Sequence, residues 1–262
     1  MYTAVLVEPR CHPALRWVLR NFLDNLSAEW KILVFHGTAN REVLHGILES
    51  LPRDRFLEPI ELEVENLTPQ AYNALLMSPD FYRVIPTELH LIFQVDSLLF
   101  AEHRHFLSLF LSYDYVGAPW KNGWVGNGGL SLRRTAKMIE VCERVTPADT
   151  LQDIFAQSLE GRIAPPLPPH EWAQLQQGCM ENLEEISSEM NEDMYFCYQR
   201  TLPLKKPPAS TAQYFSVESV FCETSWGTHA PWKNLLASEL CQMRARYPEL
   251  EEYMQCFIDE WI

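Results

Sequence analysis

The sequence predicts an α/β protein, a mixed and mostly parallel sheet flanked by helices in a single domain. Three observations carry that expectation. Strand-length apolar runs alternate with segments of helical period through the first hundred residues. Polar residues capable of chemistry stand at the ends of those runs. The 262 residues are 47% hydrophobic, enough for a sizeable core, with no internal repeat and no low-complexity segment.

Ala4–Val7 is a nearly continuous apolar run, as in a strand buried on both faces. After Pro13, the residues Leu15, Val18, Leu19, Phe22, Leu23 and Leu26 mark one face of a helix. Ile32–Phe35 reads as a second buried strand ended by His36-Gly37, and Val43, Leu44, Ile47, Leu48 and Leu51 as a second helix. Leu62 and Val64, alternating with acids, suggest a third strand. Residues 69–86 look helical but broken by prolines. His90–Val95 is a further strand, ending at Asp96-Ser97, with a helix from about 100 to 111 and a short strand at 113–116. Residues 117–129 hold five of the ten glycines, making this loop the freest stretch of backbone. A strand at 130–133 and a helix at 135–145 follow. Prolines 165, 166, 168 and 169 give a stiff connector. Helix returns over 171–199, a strand is expected around 215–221, and two helices split near Pro248 close the sequence.

The 35 acidic and 21 basic residues leave a net charge of −14. That balance argues against nucleic acid and against an anionic membrane surface, both of which are bound by clustered Lys and Arg. A diphosphate ligand would need a metal ion or a few well-placed cations to offset the field of the protein. Seven cysteines without a CxxC pair read as reduced thiols. Residues 1–8 lack the pattern of a signal peptide, and no run reaches a membrane span, so the expected setting is cytoplasmic.

In open α/β sheets, ligands bind beyond the carboxyl ends of the strands. Glu8, Arg10, His36, Asp96 and Ser97 are placed there. Asp96 suits an oxygen ligand for Mg²⁺ or Mn²⁺ on a diphosphate; the plain alternative is a cap on the following helix. The Gly126-Asn127-Gly128-Gly129 loop could bring backbone close to a ligand, or be only a tight turn. Glu192-Asp193 could orient or deprotonate a sugar hydroxyl, or simply favour a helix N-terminus. His229 could ligate a metal while Lys233 meets a phosphate, or sit in a packed aromatic loop.

Taken in order, these features resemble GT-A glycosyltransferases. Tyr113–Trp120, Gly126–Arg133, Glu192-Asp193 and His229–Lys233 together are similar to a family of uncharacterised glycosyltransferases, a domain of unknown function found in large DNA viruses, fungi and bacteria. The resemblance covers nearly the whole chain. It implies a GT-A-like, Rossmann-like fold with a nucleotide-binding half at 1–97 and an acceptor-side half at 98–262. It implies transfer of a sugar from a nucleotide-diphosphate donor, UDP rather than GDP, to a carbohydrate or protein acceptor. Gln94-Val95-Asp96 matches the Asp-x-Asp metal motif with Gln94 in place of the first acid, which leaves two alternatives: Mn²⁺ or Mg²⁺ held by Asp96 with the late His229, or a metal-independent enzyme. Lys233 would hold the diphosphate. Glu8 and Arg10 fall where such folds bind the nucleoside, and Arg83 where base or phosphate is contacted. Asn127, Gly128 and Gly129, with Ser97 and Trp120, would shape the donor and acceptor site. Asp193 or Glu192 would serve as base or position the acceptor, Asp193 being preferred. Whether the anomeric centre is retained or inverted stays open. Two other readings compete: a nucleotidyltransferase, against which the first loop lacks glycine, and a non-catalytic sugar- or protein-binding module, which Gln94 favours.

Overall fold

The computed structural model describes residues 1–50, 56–163 and 187–257. Its contacts cluster into two compact units made of interleaved segments. The first comprises Met1–Asn66, Pro86–Arg134 and Lys206–Ile262, the second Leu67–Ile85 and Thr135–Lys205.

The first unit is built on a six-stranded sheet. Strands β1 (Tyr2–Val7), β2 (Trp30–His36), β3 (Leu57–Glu61) and β4 (Leu89–Phe93) are mutually parallel. Strand β5 (Ser97–Leu99) leaves this sheet, and β6 (Tyr115–Val116) and β7 (Leu130–Arg134) complete it. The order is β3-β2-β1-β4-β7-β6, and β7 runs antiparallel to both of its neighbours. Strands β8 (Ser216–Val217) and β9 (Gly227–His229) join β5 in a small second sheet of order β5-β9-β8. This is the mixed, mostly parallel sheet flanked by helices that the sequence predicts.

The inner parallel strands β1, β2 and β4 are largely apolar without alternation because both of their faces are covered: Thr3 to Val7 and Leu89 to Phe93 are all buried, whereas the outer β3 is mostly exposed. Helix α1 (Leu15–Asn25) presents Leu15, Val18, Leu19, Phe22 and Leu23, and Phe22 stacks on Phe93 of β4 with ring centroids 3.8 Å apart. Helix α2 (Arg41–Ser50) buries Leu44 and Ile47. Together α1 and α2 return the chain from β1 to β2 and from β2 to β3, whereas β4 lies on the other side of β1. The direction of winding therefore reverses between β1 and β4, and the carboxyl ends of these two strands border the crevice where such sheets bind ligands.

The second unit is helical. Thr68, Ser78 and Thr146 cap helices that each begin with proline, Pro69–Leu76, Pro79–Arg83 and Pro147–Leu159. The Tyr195 hydroxyl ties the helix Glu192–Tyr198 to Thr135–Arg144 by donating to the carbonyls of Val141 (3.1 Å) and Val145 (2.6 Å).

Several expectations are corrected. The third strand lies at Leu57–Glu61, ahead of the Leu62 and Val64 alternation, because residues 57–61 are the ones in register with β2. The segment after β5 is a 3-10 helix with a break at His103, Ala101–Leu109. The helix Pro147–Leu159 has a complete sequence signature in its Thr146/Asp149 capping box, yet it was not among the expected elements. The strand expected around 215–221 is two residues long, and β9 was not foreseen. The connector at 165–169 and the helix expected at 171–186 lie outside the described residues. Among the described residues, no helix is long and apolar enough to cross a membrane.

Candidate functional site

Asp96 sits where the chain leaves the large sheet for the small one. Gln94, Val95 and Asp96 form a tight turn between β4 and β5, closed by the Ser97 amide donating to the Gln94 carbonyl at 3.0 Å. Asp96 therefore caps no helix; Phe100 occupies the N-cap of the 3-10 helix that follows β5. Ser97 is fully buried, and its hydroxyl donates to the Gly129 carbonyl (2.8 Å), which also accepts from the Gln94 amide (2.9 Å). The Tyr253 hydroxyl donates to the carbonyls of Val95 and Ser97. The turn that aims Asp96 is thus pinned from two sides.

Strand β9 runs antiparallel to β5 and sets His229 opposite Ser97. The chain then reverses at Ala230, the one non-glycine residue with positive φ (41°) among those described, and enters the short helix Pro231–Asn234. That reversal lets two residues four apart reach one carboxylate. His229 Nε2 lies 3.2 Å from Asp96 Oδ1, and Lys233 Nζ donates to Oδ2 at 3.0 Å. Nε2 also donates to Gln94 Oε1 at 3.0 Å. Burial works to raise the Asp96 pKa, but His229 and Lys233 outweigh it and hold the carboxyl well below the usual carboxylate range. For His229, burial works downward, and Asp96 outweighs it to raise the imidazole. Gly129 makes room for that ring: a Cβ there would lie 2.2 Å from Nε2.

The loop before β7 is held as firmly. The Tyr115 hydroxyl donates to the Gly126 carbonyl at 2.8 Å. Ser131 Oγ donates to the Gly128 carbonyl at 2.9 Å. Arg133, fully buried, donates from Nη2 to the same carbonyl at 3.3 Å and from Nε to Ser131 at 2.9 Å, with its guanidinium 4.9 Å above the Tyr115 ring. Gly117 admits the Asn127 carbonyl, which a Cβ would meet at 2.1 Å. Between these anchors the Asn127 amide oxygen is occluded and finds no protein partner among the described residues. Trp120 belongs to the hairpin ahead of this loop, where its amide donates to the Trp124 carbonyl at 2.7 Å.

At the end of β1, Glu8 is buried and held by a bidentate fork from Arg10, with Nε–Oε1 at 2.9 Å and Nη2–Oε2 at 2.8 Å. Asn40, fully buried, donates to the carbonyls of Glu8 and Arg10 and accepts from the Gly37 amide, lacing the ends of β1 and β2 together. His36 is buried and donates from Nδ1 to the Gly37 carbonyl at 2.9 Å.

Eleven of the fourteen residues singled out from the sequence belong to the first unit, though they come from widely separated segments; the other three, Arg83, Glu192 and Asp193, stand in the second unit. Arg83 is engaged there by Asp80 and Glu143. Glu192 and Asp193 open the helix Glu192–Tyr198; Glu192 is buried with its amide donating to Asn73, while Asp193 is half-buried and accepts from the Met194 amide. Sequence reasoning gave no role to Asn40, Tyr115 or Arg133. An Arg following the Leu130 and Leu132 alternation of β7 was the available signal.

The donors suit a divalent cation. One carboxylate oxygen and one imidazole nitrogen 3.2 Å apart, with an amide oxygen 3.0 Å from that nitrogen, match the edge of about 3 Å expected for an octahedral Mn²⁺ or Mg²⁺. Among the described residues no group of three or more His, Cys, Asp and Glu could hold a metal ion, so the remaining positions would fall to phosphate oxygens and water.

The fold and this site together define an α/β protein with a charged centre at the topological switch point of its sheet. The chain belongs to the family described as "Protein of unknown function (DUF5672)", whose pattern matches residues 58–231. None of the curated proteins matches this sequence. Among solved structures the chain is similar to HddC from Yersinia pseudotuberculosis, at 11% identity over 53% of this chain and 80% of that one, with a TM-score of 0.40. It is also similar to a mannosyltransferase, PcManGT from Pyrobaculum calidifontis, solved with GDP-Man and Mn²⁺ (16% identity, 55% and 46%, TM-score 0.40). A third is TarS 1-349 of S. aureus (14%, 53% and 49%, TM-score 0.39). Likeness at this level carries no activity from one chain to another.

Proposed function

We propose that this protein is a glycosyltransferase that moves a sugar from a nucleotide-diphosphate donor, a UDP-sugar in preference to a GDP-sugar, to a carbohydrate or protein acceptor. The observation that carries the reading is Asp96, buried at the switch point of the sheet with His229 on one oxygen and Lys233 on the other. A carboxylate with two cationic partners at that place is suited to a diphosphate, whose negative charge grows as the sugar departs.

Asp96, His229 and the Gln94 side-chain amide oxygen would hold Mn²⁺ or Mg²⁺, which when bound supplies positive charge to the leaving diphosphate. Lys233, half-exposed, turns from Asp96 to a phosphate oxygen. Arg10 and Glu8, with His36, line the nucleoside end, and Arg83 belongs to the phosphate or base side. Ser97 keeps Gly129 and Gln94 in register, and Asn127, Gly128 and Gly129 face the sugar, where the unpaired Asn127 oxygen accepts from a hydroxyl. Trp120 stands on the acceptor side. Asp193 takes the acceptor proton in the inverting form and positions the acceptor in the retaining form, with Glu192 as its buried neighbour. The setting assigned to this activity is cytoplasmic.

Thermal unfolding with UDP, GDP and their sugars, in Mn²⁺ and in EDTA, tests the donor end. A ligand at 100 times its Kd adds about 2.7 kcal/mol. Stabilisation by a nucleotide sugar in Mn²⁺ only is the expected result; no stabilisation by any of them would end the reading. For the base, Asp193→Asn should stay folded and bind donor while transfer falls on the order of 10²–10⁴-fold. A near wild-type rate in Asp193→Asn beside a crippled Glu192→Gln would reverse the assignment.

A further inference from the structure

His229 has two ring nitrogens, and the contacts above account for one. Nδ1 is occluded and meets no protein hydrogen-bond partner among the described residues. The small sheet carries a second group in the same condition. Glu218 follows β8 directly, one step past the Val217–Thr228 pair, so the parallel register brings it level with His229. On the other side of β9 the antiparallel register sets Ser97 level with His229, one residue after Asp96. Asp96, His229 and Glu218 therefore line up across one end of the sheet. Glu218 Oε1 accepts from Asn234 Nδ2 at 2.8 Å, while Oε2 is occluded and without a partner among the described residues.

A buried nitrogen and a buried carboxylate oxygen, both unpaired and level in register, cost free energy unless they serve one another, directly or through one bound water. We propose that Glu218 is a positioning residue for the Asp96–His229 centre, accepting the Nδ1 proton of His229 and thereby keeping Nε2 turned toward Asp96 and the ligand. The inference rests on reading that pair as the donor end of the site. A further observation supports it. Through Asn234, the last residue of the helix Pro231–Asn234, Glu218 also steadies the element that presents Lys233. A histidine that ligates a metal through one nitrogen commonly gives its other N–H to a carboxylate, which fixes the ring.

Two readouts test this, one of them independent of metal. In protein labelled with ¹⁵N-histidine, the His229 Nδ1 proton, assigned by its loss in His229→Asn, should exchange slowly in the wild type. It should disappear or exchange rapidly in Glu218→Ala, and return in part in Glu218→Asp. By electron paramagnetic resonance with UDP or GDP present, Glu218→Ala should bind Mn²⁺ about 10–100-fold more weakly. If the alanine variant fails to fold, Glu218→Gln, of the same size, carries the same readouts with faster Nδ1 exchange. An unchanged Nδ1 proton in a folded Glu218 variant overturns the proposal. So does its loss in Asn127→Ala or Ser216→Ala alone, since Asn127 Oδ1 and Ser216 Oγ are the other occluded, unpaired side-chain oxygens among the described residues. A wild type that binds no Mn²⁺ sinks the metal reading and leaves the Nδ1 result to decide on Glu218.

Discussion

Two acid–cation groups stand at the carboxyl ends of neighbouring strands, and they are built in opposite ways. At the end of β1, Glu8 takes its partner from two residues along the chain, in a fork that satisfies both oxygens. At the end of β4, Asp96 takes partners 133 and 137 residues away, one of which also leaves an occluded nitrogen unpaired. The local fork forms as soon as the strand does. The distant one exists only after both sheets have assembled, and one of its cations remains half-exposed. A pair that closes on itself shapes a rim. A pair drawn from three segments, with Lys233 free to turn outward, is one that a ligand can open.

The largest effect should follow Asp96→Asn, which removes the charge that both partners share. We expect a loss of about 10²–10³-fold in transfer, in line with removing one charge-stabilising group. In EDTA the same variant should lose part of its acid sensitivity. The folded-state pKa of Asp96 lies below its unfolded value, so the stability it adds is complete above about pH 3.9 and drains away as pH falls toward the folded value. Wild type should show that acid limb in urea melts and Asp96→Asn should show less of it; identical limbs would remove the distinction between the two groups.

A smaller effect is expected at Gly129. Alanine there would place a methyl 2.2 Å from His229 Nε2 and 2.4 Å from the adjoining ring carbons. Overpacking of this kind costs about 1–3 kcal/mol, and the displaced ring should abolish any Mn²⁺-dependent stabilisation by nucleotide. Retention of the full metal response would show that His229 works from another place. The smallest effect belongs to the local fork. Arg10 is half-exposed, so Arg10→Ala should cost no more than about 1 kcal/mol. Steady-state kinetics should show donor KM raised with kcat nearly unchanged. A fall in kcat comparable to that of Asp96→Asn would erase the contrast.

What was legible in the sequence follows the same division between near and far. Strands β1, β2 and β4 could be read because burial on both faces makes them continuous apolar runs. Asp96 could be read because it directly follows one of those runs. Strands β8 and β9 could not, since two or three residues carry no period, and their register is what aligns Glu218, His229 and Asp96. The Gln94 contact with His229 spans 135 positions, so the substitution looked like the loss of a ligand when it is also the gain of a hydrogen-bond partner. Arg133 stood in plain view within Leu130–Arg134, but only the antiparallel pairing of β7 shows that it turns back to the carbonyl of Gly128. The helix Pro147–Leu159 was legible from its cap and was passed over.

Strand β3 has a consequence for how copies of this protein meet. It is the outer strand of the large sheet, and an outer strand offers an unfinished row of backbone groups to any passing chain. Phe56 and Leu62 bond inward to β2, which places the backbone groups of 57, 59 and 61 on the outside. The middle one of these is Pro59, which has no N–H to offer. Glu58 and Glu61 stand beside it and carry their charges along the same margin, held by Lys31 and Arg41. A second molecule trying to extend the sheet would meet a missing donor at the centre and acids on either hand. In a crowded solution, that edge should make sheet-to-sheet stacking a poor route to aggregation.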